Sequence, residues 1–141
     1  MKKILLVGAV LAIFYYLNRE PAEIRHSPDA TRDAPAADVF DSRSSGTLVS
    51  GKGRVTRVLG DDSLGDRHQR FILELDSGQT ILVAHNIDLA PRIEALREED
   101  LVEFSGEYEW NDKGGIVHWT HHDPQGQHPG GWLRHEGRTY E

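Results

Sequence analysis

Residues 102–122, VEFSGEYEWNDKGGIVHWTHH, decide the fold. Val102, Phe104, Gly106, Tyr108 and Trp110 alternate with Glu103, Ser105, Glu107 and Glu109. Such alternation sends successive side chains to opposite sides of a strand, so one face is apolar and the other acidic. Residues 111–114, NDKG, carry turn chemistry, and residues 116–122 run back as the second half of a hairpin. Burying the apolar face calls for Val117 opposite Tyr108, which sets His118 opposite Glu107. Continued along the ladder, this register places Trp119 opposite Gly106, Thr120 opposite Ser105 and His122 opposite Glu103. His121 then points inward beside Phe104. Trp110 and Trp119 fall on the apolar face and read as core.

Upstream, residues 47–59 alternate loosely and are interrupted by Gly51 and Gly53, as a sharply bent strand requires. Residues 60–66, GDDSLGD, are a loop by composition. Phe71, Leu73 and Leu75 alternate with Arg70, Ile72 and Glu74 as a half-buried strand. After the turn at Asp76, Ser77 and Gly78, residues 79–84 return as a third strand. Residues 86–96 change period: Ile87, Ala90, Ile93 and Leu96 recur at helical spacing behind Asn86 or Asp88 as cap, with Pro91 in the first turn. The expectation is a mainly β protein, a five-stranded OB-like barrel with one short helix between its third and fourth strands. Gly130 and Gly131 permit a tight turn after it. Trp132 and Leu133, followed by His135, Gly137 and Tyr140, then read as a C-terminal lid.

Outside the barrel the chain changes character. Lys2 and Lys3 precede an apolar or small run from Ile4 to Leu17, so residues 1–17 read as a signal or anchor segment. No small-x-small cleavage site follows closely. The expectation is an exported protein anchored in the inner membrane and facing the periplasm, or periplasmic if cleaved. Residues 18–45 carry Pro21, Pro28 and Pro35 among mixed charges and read as a flexible linker. The barrel domain is then 46–141.

Composition narrows the function classes. A formal charge of −7 argues against a broad basic surface for long nucleic acid. With no cysteine, disulfides, thiolate metal sites and cysteine nucleophiles are excluded. No nucleophile elbow or phosphate-binding loop is present.

Two groups of residues carry chemistry. Arg67, His68 and Arg70 open the second strand, and His85, Asn86 and Arg92 lie where the third strand meets the expected helix. With Tyr108 they compose a binding face for a small anionic or ring-bearing ligand, a nucleotide or short oligonucleotide. The other group is histidine-rich. His118 and His122 share a strand face, and if the strand breaks near His121 they can meet Asp123 and His128. That set suits zinc or another divalent metal, with Glu107 as a general base. Three readings follow: a membrane-tethered binding module, a metal-dependent, phosphodiesterase-like hydrolase, and a structural or pH-responsive envelope domain whose imidazoles sit beside carboxylates.

The segments RHQRFIL, AHNIDLAPRI, GEYEWNDKGG, VHWTHHDP and HPGGWLRHEGRTY together resemble a family of small bacterial proteins classed as a domain of unknown function. The resemblance spans about residues 51–140. It implies an exported, single-domain protein with an OB-like barrel and brings no established reaction.

Overall fold

The computed structural model describes residues 34–35, 39–40 and 43–141. The expected N-terminal apolar helix, and with it the signal or anchor segment, lies outside the described residues. Among the described residues no helix is long and apolar enough to cross a membrane.

The chain is mainly β. Its strands are β1 (Ala34–Pro35), β2 (Thr47–Val58), β3 (His68–Leu75), β4 (Thr80–Asn86), β5 (Leu101–Glu109), β6 (Ile116–His118), β7 (Trp132–His135) and β8 (Arg138–Tyr140). Five of them close a barrel: β2 pairs with β3, β3 with β4, β4 with β6, β6 with β5, and β5 returns to β2. Within this ring only the β4–β6 pair is parallel.

Closure depends on the long strand β2. Residues from Thr47 to Arg54 pair with β5, and those from Gly53 to Val58 pair with β3. Gly53 belongs to both ladders. A Cβ there would lie 2.9 Å from the Glu74 carbonyl oxygen, so only glycine lets the strand coil this tightly. A register shift between Val55 and Arg57 adds to the bend. Buried and less buried side chains alternate along β3 and over most of β4. Val49, Val55, Phe71, Leu73, Ile81, Val83, Val102, Phe104, Tyr108 and Val117 fill the interior. Burying each of the larger apolar chains contributes roughly 1.5–3 kcal/mol.

Two sequence-based expectations are corrected here. The first is the helix over residues 86–96, which instead forms turns. Asn86 does cap a turn, accepting the Asp88 amide on Oδ1 at 2.9 Å and the Ala90 amide on its carbonyl at 3.1 Å. Pro91 follows, and it disfavours helical geometry at Ala90. Beyond it, Gln69 replaces helical bonding: its Oε1 accepts the Ile93 N–H and its Nε2 donates to the Ile93 carbonyl, both at 2.9 Å. Ile93 and Leu96 are buried as the spacing implied, but a core side chain satisfies the backbone of Ile93.

The second correction concerns the return strand. The register of Val117 opposite Tyr108 and His118 opposite Glu107 holds. The strand then stops, because Trp119 turns to φ +54°. The places opposite Ser105, Phe104 and Glu103 go to Trp132, Leu133 and Arg134 of β7. β6 and β7 therefore share one edge of β5, and residues 119–131 leave the sheet between them. Gly106 and Gly131 mark the junction. A Cβ on Gly106 would strike the His118 carbonyl oxygen, and one on Gly131 the carbonyls of Trp119 and Ser105. Trp119 is consequently half-buried in the excursion, and Trp110 is 40% exposed beneath the Arg43 guanidinium.

At the C-terminal end, β7 and β8 extend the sheet as a hairpin turned at Glu136 and Gly137, burying Leu133, His135 and Tyr140. The compact unit spans Arg32–Glu141. Val39 and Phe40 join its core, Phe40 meeting the edge of Tyr108 at 4.6 Å.

Candidate functional site

The arginines expected to form an anionic-ligand face are committed to neighbouring carboxylates and a backbone carbonyl. Arg67 binds Asp88 through Nε and its backbone amide, both at 2.8 Å. Arg92 pairs with Asp61 and lies 3.6 Å from Glu94. Arg70 donates from Nε and Nη2 to the Gly60 carbonyl at 3.0 and 2.9 Å. The Arg67 and Arg92 pairs brace the loop between β2 and β3 against residues 86–100. They also hold the carboxyls of Asp61 and Asp88 below the ordinary range, Asp61 through the Arg92 hydrogen bond and Asp88 through the Arg67 amide. His68 is half-buried at the start of β3, and Asn86 is spent on its turn.

His85 and Tyr108 point inward. Tyr108 has no exposed surface and donates its hydroxyl to the Gly114 carbonyl at 3.1 Å, so its ring is core and offers no stacking face. His85, likewise without exposed surface, donates from Nε2 to the Pro91 carbonyl at 3.1 Å and accepts the Thr120 hydroxyl on Nδ1 at 2.8 Å. Both ring nitrogens are satisfied by the neutral tautomer, and burial depresses its pKa to about 4.

The histidine-rich half is different. Glu107 and Glu109 occupy alternate positions of β5, so their side chains share the outer face. His118 faces them from β6, with Nε2 3.6 Å from Glu107 Oε1 and 3.8 Å from Glu109 Oε1. One donor atom from each of these residues fits within a mutual spread of 4.8 Å. The His118 Nε2 atom is covered and has no hydrogen-bond partner among the described residues. Burial pushes the His118 pKa down, opposing the pull of Glu107. Burial also pushes the Glu109 carboxyl up, and the neighbouring Glu107 adds to the rise.

His128 reaches the same cluster from the excursion. Its Nε2 lies 2.5 Å from Glu107 Oε2 and its Nδ1 2.7 Å from the Pro129 carbonyl. The ring is thus held at both nitrogens. Trp119 stacks on it with centroids 4.0 Å apart and planes 10° from parallel.

Asp123 builds the loop that carries His128. It accepts the Gln125 amide on Oδ1 at 3.0 Å, and the Gln127 and His128 amides on Oδ2 at 2.7 and 2.8 Å. With its oxygens turned into the loop, Asp123 organises it and is not a donor to the cluster. His122 is exposed, and the place expected for it opposite Glu103 belongs to Arg134, whose Nη1 lies 3.2 Å from that carboxylate. His118 and His128 of the expected metal set therefore meet at Glu107, while His122 and Asp123 do not. Glu109 was missed, although its parity with Glu107 already placed both on one strand face.

No curated protein matches the chain. A family model described as a protein of unknown function, DUF3465, matches residues 21–141. The match covers the whole barrel and begins upstream of the resemblance at residue 51, taking in most of the linker. The chain belongs to this family of unknown function.

Proposed function

We propose that the protein is an OB-type barrel that binds a positively charged ligand at Glu107, Glu109 and His118 on the outer face of β5 and β6. The ring order, with one parallel pair closing five strands, supports the OB-type assignment. The observation that carries the ligand class is the pair of adjoining carboxylates. Their side chains are 17% and 36% exposed, and among the described residues their ion pairs are with histidines alone, never Arg or Lys. Two like charges held together out of bulk water repel, and a proton or a bound cation relieves the repulsion. We place this site on the far side of an inner membrane, a proposal that rests on Lys2, Lys3 and the apolar run to Leu17.

Thermal melting tests the reading. The full chain, kept in detergent, is melted with and without zinc, calcium and an alkylammonium salt. A ligand at a hundred times its Kd stabilises the fold by about 2.7 kcal/mol. At least one cation should raise Tm, and Glu107→Gln with Glu109→Gln should remove the rise. A Tm indifferent to every cation, or a rise that survives the double substitution, contradicts it.

A further inference from the structure

The geometry points to a zinc-class ion bound by Glu107 Oε1, Glu109 Oε1 and His118 Nε2, with a fourth position open and His128 as the residue that positions Glu107. This inference rests on the cation reading above and names its ligand.

Spacing is the first support. A tetrahedral ion with bonds of about 2.1 Å sets its ligand atoms about 3.4 Å apart. His118 Nε2 stands 3.6 Å from one carboxylate oxygen and 3.8 Å from the other, and the three donors lie within 4.8 Å of each other. A shift of a few tenths of an ångström brings each His118–carboxylate pair to that spacing. The His118 nitrogen is the second support. Its Nε2 is shielded from solvent without a hydrogen-bond partner among the described residues, a costly arrangement that coordination resolves.

Donor chemistry selects the class of ion. An imidazole with two carboxylates suits zinc and its neighbours in the first transition row. Calcium takes six to eight oxygens, and magnesium a near-octahedral oxygen shell.

The division of Glu107 between its two oxygens assigns His128. Oε1 faces His118, whereas Oε2 takes the hydrogen bond from His128. The His128 nitrogen is engaged 2.5 Å away on Oε2, the oxygen not assigned to the ion, and is placed to hold the ligating carboxylate in orientation. Pro129 fixes the other side of that ring, and Trp119 its plane. Three protein ligands and a partly exposed rim leave room for a water or an oxyanion, as catalytic zinc sites do. Glu107 is therefore a ligand, not the free base the sequence suggested, and His122 and Asp123 are outside the ligand set.

The test is equilibrium dialysis of the untagged full chain in detergent against zinc. One ion per chain is expected. His118→Asn or Glu109→Gln should abolish stoichiometric binding, each checked for an unchanged metal-free Tm. His128→Gln should weaken affinity by about 10- to 100-fold while keeping the stoichiometry, the signature of a positioning residue. His122→Ala should change nothing. Zinc retained in both His118→Asn and Glu109→Gln, or lost in His122→Ala, overturns the assignment. If zinc does not bind but calcium or an alkylammonium ion raises Tm through Glu107 and Glu109, the zinc assignment fails and the cation reading stands. If no cation binds, both fail.

Discussion

The Oδ2 atom of Asp123 accepts the His128 amide at 2.8 Å, and through that bond a loop outside the barrel holds an imidazole against Glu107. Its three amide donors keep the Asp123 carboxyl below the ordinary value of 3.8, the Gln125 amide first among them. A carboxyl depressed in the fold contributes order that is present above its unfolded pKa and lost as pH falls through the folded value. The Gln127 and His128 amides should therefore be protected from hydrogen exchange at pH 5 and lose protection below the ordinary carboxylate range. Asp123→Ala should expose them at every pH while amides of β3 and β4 stay protected. Equal protection in the variant would show that the loop is held by something else.

Gly106 and His118 make a second junction. A Cβ at residue 106 would meet the His118 carbonyl, with Val117 Cγ1 and Thr120 Cγ2 each 2.9 Å away. Gly106→Ala should cost about 1–3 kcal/mol, the range for overpacking, because backbone must give way. Denaturant unfolding measures it, with the midpoint lowered and the slope unchanged. Gly46→Ala is a less crowded comparison, with nothing within reach of the added carbon but a φ of +73°.

His85 predicts a pH dependence of stability. Burial holds its pKa at about 4 against an ordinary 6.5. Between those values the unfolded chain takes up a proton that the fold refuses, so stability falls as pH drops through the window. A shift of this size corresponds to roughly 3 kcal/mol across it. His85→Gln should flatten the slope of stability between about pH 6.5 and 4. A slope unchanged by the substitution would mean that other groups carry it.

These relationships separate what the sequence disclosed from what it could not. Alternation along 102–110 is a local property, so the barrel strands, the acidic face and the His118–Glu107 register were legible. Where the return strand stops is not local. It depends on Trp132 and Leu133 competing for the edge of β5 that Thr120 and His121 would otherwise occupy. The helix over 86–96 failed similarly, since Gln69, distant in sequence, supplies the bonds that a helix would have made internally. At the site, Glu107, His118 and His128 were visible as residue types. Their grouping with Glu109, and the release of His122 and Asp123, required the position of the excursion.

Trp119 and Phe104 test that relocation. Phe104 lies wholly within the barrel, whereas Trp119 stacks on His128 outside it. Phe104→Ala should cost about 3–5 kcal/mol. Trp119→Ala should cost clearly less while weakening zinc binding through the loss of His128 orientation. A Trp119 variant as unstable as the Phe104 variant would return the indole to the core.

X-ray absorption on the zinc-loaded full chain reads the ligand atoms of the proposed site themselves. The structure predicts one imidazole and two carboxylate oxygens at about 2.0–2.1 Å, with one further light-atom ligand. Two or more imidazoles on the ion, or an all-oxygen shell, would contradict it.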